Sequence, residues 1–228
     1  MGREVEAEFL CLAYSRKLAG RCVAGVRTDD GRWIRPVSTS PDGTLFDYDC
    51  RLDSGSGPRL LDVIRVPLGH PRPTHYQPEN WVLAAGRWKH VARLTTKQAL
   101  PMLDRAAVRG PELLGNRRDK LQEASLRRTP AVSSLALVQP NSVEWVVGQS
   151  AGRRRQIRAA FVLDGVLYNL VLTDPAWESK LEGLGYGVYP HNAAGIRPGD
   201  RILFTVSLGE PFRGYCYKLV AAVLVIPK

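Results

Sequence analysis

Residues 21–38, RCVAGVRTDDGRWIRPVS, decide the fold that the sequence predicts. Two β-prone runs flank Asp29-Asp30-Gly31, and Gly31 can adopt the positive φ that a tight hairpin turn requires. The stretch contains one tryptophan, Trp33, and four arginines, of which Arg21 and Arg35 are the candidates for ligand contact. The stretch therefore predicts a basic β-hairpin with an aromatic side chain, of the kind found in a small β-barrel.

The chain of 228 residues is strongly basic. It has 32 Lys and Arg against 22 Asp and Glu, which gives a formal net charge of +10. A basic excess favours phosphate contacts and the release of counterions, so polyanions are the expected partners. A generally basic composition without any ligand would give the same charge, so charge alone leaves both interpretations open.

The cysteines and histidines do not form a metal or redox pattern. No CxxC pair is present among Cys11, Cys22, Cys50 and Cys216, which disfavours a zinc ribbon or a thioredoxin-type site. Two histidines lie on one Pro-rich stretch without standard ligand spacing, and we expect surface positions for His70 and His75. We therefore predict no metal and no cofactor.

The N-terminal region does not resemble a targeting segment. Residues 1–8 are acidic and polar, and the apolar run 9–14 is too short for a signal peptide core. No apolar run reaches the ~18 residues of a membrane span. We expect a cytoplasmic protein with reduced thiols and no membrane partner.

Short β-prone runs separated by turns recur along the whole chain. In the first half, strands are also expected at 8–14, 60–68, 81–84 and 88–91, before a helix at 95–105. In the second half, strands are expected at 134–138, 143–147, 156–163, 166–172, 201–207 and 215–226, with a helix that starts at 174–175 and ends near 181. Each half thus has about five strands and one helix, as in an OB-fold. We predict a mainly β chain of two tandem OB-fold-like barrels, each with a short helix.

A basic segment separates the two halves. We predict a first barrel at 1–109, a basic linker at 110–132 with a short helix at 119–126, and a second barrel at 133–228. The basic side chains of the linker are Arg117, Arg118, Lys120, Arg127 and Arg128. A flexible linker would let the barrels engage a ligand independently.

Four stretches carry a family resemblance. They are LCLAYSRKLAGRCVAG (10–25), GRWIRPVS (31–38), QIRAAFVLDGVLYNLVLTDP (156–175) and VSLGEPFRGYCYKLVA (206–221). Together they resemble the bacterial dual OB-containing domain family over nearly the whole chain. The resemblance implies two OB-folds in tandem and a nucleic-acid-binding role, often in bacterial conflict or defence systems. It implies no established catalytic activity.

Barrels of this kind bind single strands by combining a positive groove with aromatic stacking platforms. The first-barrel candidates are Ser15, Arg16, Lys17, Arg21, Trp33 and Arg35. The second-barrel candidates are Arg153, Arg154, Arg155, Arg158, Tyr168 and Lys218. Core packing is the alternative for the two aromatic residues, and a solvated connection is the alternative for residues 15–17. Strand alternation places Lys218 opposite Leu219, on a face that we expect to be solvent or a groove.

One catalytic pattern competes with this interpretation. Residues 148–152, GQSAG, satisfy GxSxG, and Asp174 and His191 follow in hydrolase order. The nucleophile elbow must lead directly into a helix, whereas β-prone residues follow Ser150. A Gly/Ser hairpin turn explains the same residues, so a serine hydrolase is the least favoured alternative.

The leading hypothesis is a non-catalytic module that binds single-stranded DNA or RNA in a bacterial defence system. The main alternative is an adaptor that binds a partner effector enzyme, in which the basic surface is incidental.

Overall fold

The computed structural model describes residues 5–228. The elements of the first half are β1 (Val5–Lys17), β2 (Gly20–Arg27), β3 (Trp33–Val37), β4 (Asp62–Pro71), β5 (Asn80–Leu83), β6 (Lys89–Arg93) and α1 (Thr96–Ala106). The central hairpin and the other strands expected in this half are confirmed.

The second half begins with two elements that lie in the segment predicted as a linker. Its elements are β7 (Lys120–Gln122), α2 (Glu123–Arg128), β8 (Leu135–Val138), β9 (Ser142–Gln149), β10 (Arg155–Leu163), β11 (Val166–Leu172), α3 (Pro175–Lys180), β12 (Gly187–Pro190), a 3₁₀ turn (His191–Ala194), β13 (Arg201–Phe212) and β14 (Tyr215–Ile226). The helix expected at 119–126 is wrong in its bounds, because residues 120–122 pair with β14 as a strand before α2 begins.

The first half forms a closed five-stranded barrel. Its strands follow the order β1-β2-β3-β5-β4, and β1 also pairs with β4 to close the ring, while β6 is added beside β4. The pairing of β3 with β5 is parallel and the others are antiparallel. The long β1 makes closure feasible because Phe9 faces Ile64 of β4 and Arg27 of β2 at once. This is the strand arrangement of an OB-fold.

The second half repeats the arrangement with one interruption. Its sheet follows the order β12-β9-β10-β11-β14-β13-β8, and β11 is parallel to β14. Here β8 pairs with β13 and β9 pairs with β10, so the two short strands together take the place that β1 has in the first barrel. Pro140 lies between them and cannot donate a ladder hydrogen bond, which accounts for the break. The core includes Phe161 packed edge-on against Phe204 at 5.2 Å.

Two helices have the caps that their sequences predict. Thr95 and Gln98 form a capping box at the start of α1, and the Asp174 carboxylate accepts the first amides of α3. α3 lies between the third and fourth strands of its barrel, as in an OB-fold. α1 instead follows all the strands of the first barrel and buries Ala99 and Leu103 in a cluster that both halves share.

The two barrels pack directly against each other. The Thr205 hydroxyl of β13 donates to the Leu12 carbonyl of β1 at 2.6 Å. A second shared cluster places Ala24 of β2 with Leu135 of β8 and Ala222 of β14. The contact therefore covers the outer side of β2. A buried hydrogen bond and a buried apolar cluster fix the position of one barrel relative to the other.

The segment 110–132 packs on the second barrel. Leu126 of α2 is buried with Leu208 and Cys216, and β7 is hydrogen-bonded to β14. The domain boundaries given above stay a prediction. Within the described residues, no helix has both the length and the apolar character needed to cross a bilayer.

Candidate nucleic-acid interface

The outer face of β2–β3 in the first barrel is buried. Arg35 is only 2% exposed, and it lies 3.2 Å from the Glu79 carboxylate. Its guanidinium also donates to the hydroxyls of Ser134, at 2.7 Å, and Ser207, at 3.2 Å, in the second half. Trp33 packs against the two shared apolar clusters. The expectation that Arg35 and Trp33 form an open ligand face is corrected, because the second barrel covers that face.

The expected basic loop at residues 15–17 is the end of β1 rather than a loop. Ser15 is buried, and the two cations that follow it face carboxylates of the second half. Arg16 lies 2.6 Å from Glu178, and Lys17 lies 2.8 Å from Glu210. These charges therefore face acidic partners across the seam between the barrels, while the Arg16 side chain is still 55% exposed.

Arg21 lies at the edge of the first barrel in a polar cluster. Its Nε donates to the Tyr14 hydroxyl at 3.3 Å, and its guanidinium lies over the same ring at 5.4 Å. Asp47 is 3.6 Å away. Burial raises the pKa of Tyr14, although the hydrogen bond from Arg21 opposes that shift. Arg21 therefore interacts with two residues of its own barrel, Tyr14 and Asp47.

The corresponding face of the second barrel is open. Along β10, Ile157, Ala159 and Phe161 point into the core, while Gln156 and Arg158 lie on the outer side. The Arg158 guanidinium donates to the Asn169 side chain of β11 at 2.9 Å and to the Asn169 carbonyl. Burial lowers the pKa of Arg158, and the nearby Asp119 opposes that effect. Leu167 of β11 is 68% exposed.

The tip of the β9–β10 hairpin carries the three consecutive arginines. Arg155 is anchored, because it donates to the carbonyls of Leu181 at 3.0 Å and Glu182 at 3.1 Å. Arg153 and Arg154 are exposed, and within residues 5–228 neither forms a salt bridge. Two cations thus remain available to an external anion.

An exposed aromatic residue that the sequence did not single out lies beside this tip. Tyr186 is 63% exposed, and its hydroxyl accepts a hydrogen bond from Gln149 Nε2 at 3.0 Å. Gln149 is the last residue of β9, so this bond holds the ring next to the arginine hairpin. In the sequence, the one feature that could have drawn attention to Tyr186 is its position among the three glycines of residues 183–187. We call the surface formed by Arg153, Arg154, Gln156, Arg158, Leu167 and Asn169 the open face, and Tyr186 lies beside its arginine tip.

Tyr168 and Lys218 lie in the protein interior. The Tyr168 hydroxyl donates to the Pro111 carbonyl at 2.6 Å. The Lys218 ammonium donates to the Asn116 carbonyl at 3.0 Å, the Asn116 side chain at 2.8 Å and the Arg118 carbonyl at 2.5 Å. Lys218 is 2% exposed, so the expectation that it faces solvent or a groove is wrong. Burial lowers its pKa to about 8. Both side chains hold residues 111–118 against the barrel.

A second cationic and aromatic cluster lies near the start of β14. The Lys120 ammonium is 3.8 Å from the centre of the Tyr215 ring and 5.5 Å from that of Tyr217. The Arg213 guanidinium lies over Phe212 at 5.2 Å, in the turn between β13 and β14. The loop between the fourth and fifth strands is one of the regions that OB-folds use for ligands.

The GxSxG pattern forms a hairpin turn. The Ser150 amide donates to the Arg154 carbonyl at 2.8 Å, and β9 and β10 on either side are antiparallel. Asp174 caps α3 with one oxygen and accepts from the Val223 amide at 2.9 Å with the other. The strand–turn–helix geometry of a nucleophile elbow is therefore not formed at Ser150.

The histidines and cysteines have ordinary structural environments. His70 is exposed, while His75 is half-buried with an edge-on contact to Tyr76 at 4.9 Å. The four cysteines are free thiols. Residues 5–228 contain no group of three or more His, Cys, Asp or Glu side chains arranged to hold a metal ion.

Comparisons with known proteins give remote structural likenesses. No curated protein matched the sequence. The chain is similar to a p204 HINb domain, with a TM-score of 0.35, 12% identity and coverage of 98% of this chain and 96% of that one. It is also similar to the tetrameric p202 HIN2, with a TM-score of 0.32, 10% identity and coverage of 100% and 97%. A third is the Ifi202 HINa domain in complex with 20-bp dsDNA, with a TM-score of 0.30, 8% identity and coverage of 98% and 97%.

The family expected from the sequence is confirmed. The matching strand orders of the two halves already establish two OB-like sheets in succession. A family model described as the dual OB-containing domain matches residues 7–223, which is nearly the whole chain. The chain therefore belongs to the dual OB-containing domain family.

Proposed function

We propose that this protein is a non-catalytic module that binds single-stranded nucleic acid, DNA or RNA, on the open face of its second barrel. OB-folds bind oligonucleotides on the face of their second and third strands and on the adjoining loops. In the second barrel these strands are β10 and β11, and the loop before them is the tip that carries Arg153 and Arg154. The same face of the first barrel is covered by the second barrel, so the second barrel is the one that can offer this face to a ligand.

The observation that carries the proposal is the pair of exposed arginines at the hairpin tip. Arg153 and Arg154 have no carboxylate partner among the described residues, whereas Arg16, Lys17 and Arg35 each have one. Free guanidinium groups contact phosphates favourably, because counterions are released from the nucleic acid. The formal net charge of +10 favours the approach of a polyanion to the whole molecule.

The exposed ring of Tyr186 favours a single strand over a duplex. In a duplex the flat faces of the bases are stacked on each other, whereas in a single strand they can stack on an aromatic side chain. Gln149 fixes the ring beside the arginines, so stacking and phosphate contact can occur within one short stretch of ligand. Such contacts tolerate different bases, and we expect modest sequence preference.

Binding of dye-labelled oligonucleotides, measured by fluorescence anisotropy at low salt, tests the proposal. We expect Arg153→Ala/Arg154→Ala to weaken binding to a similar degree for every oligonucleotide sequence, because phosphate contacts do not read bases. The matched control is Arg32→Ala/Arg51→Ala, which removes the same charge from exposed positions of the first barrel. The proposal fails if the wild-type protein does not bind, or if both double variants lose affinity equally.

Association with an effector protein in a defence system is the second candidate function. The feature that favours it is an exposed aromatic pair on the first barrel, Phe46 and Tyr48, whose ring centres are 5.6 Å apart. Exposed aromatic residues are common anchors of protein interfaces. Loss of co-purification of a partner protein in Tyr48→Ala, with nucleic-acid binding retained, would support this candidate.

A further inference from the structure

We propose that a nucleic-acid strand bound to the open face continues onto a second contact surface at the start of β14, to which the added strand β7 contributes a lysine. We call this surface the β7 patch, and its members are Lys120, Phe212, Arg213, Tyr215 and Tyr217. The inference rests on the proposed function and extends it, because it gives a ligand contact to the segment that the sequence predicts as a linker.

The β7 patch lies on the same outer side of the barrel as the open face. Val171 of β11 pairs side by side with Leu219 of β14, and neither is fully buried. Residues of β14 alternate between buried and partly exposed, which puts Tyr215 and Tyr217 on the side of Leu219. On β11 the same alternation puts Asn169, a member of the open face, on the side of Val171. The open face therefore continues from β11 onto β14.

β7 brings to this surface a cation that the five barrel strands do not supply. It pairs with the start of β14, off the main strand order of the sheet, and Lys120 lies opposite Tyr217. The preceding residue, Asp119, bridges the two neighbouring strands, because its carbonyl accepts from the Lys218 amide at 2.9 Å and its carboxylate accepts from the Asn169 amide at 3.3 Å. These bonds hold Lys120 beside the open face.

The cations of the β7 patch are not neutralised by carboxylates. Among the residues that the structure describes, neither Lys120 nor Arg213 forms a salt bridge, whereas the cations between the barrels each face a carboxylate. The Lys120 ammonium instead lies 3.8 Å from the centre of the Tyr215 ring. A cation–π contact positions the ammonium but leaves its charge uncompensated. A phosphate can therefore approach Lys120 without breaking an ion pair.

Phe212 offers an aromatic surface for a base. It is 61% exposed in the turn between β13 and β14, although the Arg213 guanidinium lies over its ring at 5.2 Å. Exposed rings beside cations are the usual means of holding a single strand without reading its sequence. The turn between the fourth and fifth strands is a common ligand loop of OB-folds, whereas Lys120 is an addition of this chain.

The separation of the two surfaces sets the length of the ligand. Val171 pairs both with Arg158 of β10 and with Leu219 of β14, and these two strands run in opposite directions. Arg154 comes four residues before Arg158 in the sequence. Tyr215 comes four residues before Leu219, toward the opposite end of the sheet. The two ends are therefore roughly 26 Å apart along the strands. A nucleic-acid strand with bases about 3.4 Å apart needs about eight nucleotides to span them.

The test compares short and long oligonucleotides on matched variants. Dye-labelled oligodeoxythymidines and oligouridines of about 4 and about 16 nucleotides, the range covered by one OB-fold, are titrated by fluorescence anisotropy at low salt. The patch variant is Lys120→Gln/Phe212→Ala. The matched control is Lys97→Gln/Tyr48→Ala, which removes an exposed lysine and an exposed ring from the first half.

We expect the patch variant to bind the long oligonucleotides about tenfold or more weakly than wild type, because it loses one phosphate contact and one stacked base. The short ones are held by the open face and should lose less than about twofold. The matched control should bind both lengths like wild type. For the long oligonucleotides, Lys120→Gln alone should reduce the slope of log K against log salt by about 0.7, and Lys120→Arg should keep the wild-type slope.

The inference is overturned if the patch variant and the matched control bind the long oligonucleotides equally well, if the patch variant loses the same factor at both lengths, or if Lys120→Gln keeps the wild-type salt slope. If Arg153→Ala/Arg154→Ala still weakens binding in those cases, the proposed function stands without the β7 patch. If wild type binds no oligonucleotide, or Arg153→Ala/Arg154→Ala binds like wild type, the proposed function fails and the inference fails with it.

Discussion

Arg35 and Glu79 form a buried ion pair, with 3.2 Å between guanidinium nitrogen and carboxylate oxygen, at the point where the two barrels meet. Both also bind Ser134 of the second half, since the Arg35 guanidinium donates to its hydroxyl and the hydroxyl donates to Glu79. Removing one partner leaves the other charge buried without compensation. The pair therefore links the fold of the first barrel to its contact with the second.

We expect Arg35→Met to lower the free energy of unfolding by about 3–5 kcal/mol, because the Glu79 carboxylate stays buried without its cation. The double variant Arg35→Met/Glu79→Leu should lose less than the sum of the two single losses. Urea denaturation of all four proteins provides the measurement. Strictly additive losses would contradict the direct pairing.

Acid should remove the contribution of Asp62. Burial alone would raise the pKa of this carboxyl, but hydrogen bonds from Arg93 at 2.7 Å and the Arg59 amide at 2.9 Å outweigh it and lower the pKa. A lowered pKa stabilises the fold above the unfolded value of about 4, and this stabilisation is lost as the pH falls through the folded value. We expect Asp62→Asn to be less stable than wild type by about 1–3 kcal/mol at pH 7.

That difference in stability should shrink as the pH falls below about 4, because the Asp62 carboxyl of the unfolded wild-type chain begins to bind a proton there before that of the folded protein does. Urea denaturation at a series of pH values measures it. A difference between Asp62→Asn and wild type that stays constant from pH 7 to pH 3 would show that the Asp62 charge does not contribute.

Gly25 is required by the close approach of β1 and β2. A Cβ at this position would lie 2.0 Å from the Leu10 carbonyl oxygen, which is backbone and cannot move aside. We expect Gly25→Ala to destabilise the protein by about 3 kcal/mol or more, the upper end for overpacking. Gly148→Ala is the control, because a Cβ there meets nothing within 4 Å. Equal thermal stability of the two variants would refute the close contact.

Tyr186 should contribute stacking to ligand binding. We expect Tyr186→Ala to weaken oligonucleotide binding by roughly 1–3 kcal/mol, the range for one stacked base. Tyr186→Phe keeps the ring for stacking but loses the hydrogen bond that positions it, so it should lose less affinity than Tyr186→Ala. Anisotropy titrations compare them, with Tyr48→Ala as an exposed aromatic control. A loss in Tyr48→Ala as large as that in Tyr186→Ala would argue against the open face.

Local signals in the sequence were sufficient for most elements. The β2–β3 hairpin and the starts of α1 and α3 depend on residues a few positions apart, and each formed close to the predicted position. Gly31 adopts a φ of 72° in the hairpin turn. The count of about five strands and one helix in each half already predicted two tandem barrels, and the family resemblance implied the same arrangement.

The candidate site was less predictable, because burial depended on distant parts of the chain. Arg35 binds side chains 99 and 172 positions away, and no local pattern indicates that a second barrel will cover it. Lys218 alternates as an outward residue, yet residues 116–118 fold over it and their carbonyls accept hydrogen bonds from its ammonium. Arg153 and Arg154 were candidates as part of a run of three arginines in the second barrel, whereas Tyr186 comes to lie beside them through the pairing of β12 with β9.

The salt dependence of oligonucleotide binding tests the central claim most directly. For a single strand, log K falls against log salt with a slope of about −0.7 for each phosphate neutralised. We predict a linear fall for wild type and for Arg32→Ala/Arg51→Ala, and a slope smaller by about 1.4 for Arg153→Ala/Arg154→Ala, which lacks two phosphate contacts. Absence of binding at low salt, an affinity indifferent to salt, or one common slope for all three proteins would contradict a phosphate-binding open face.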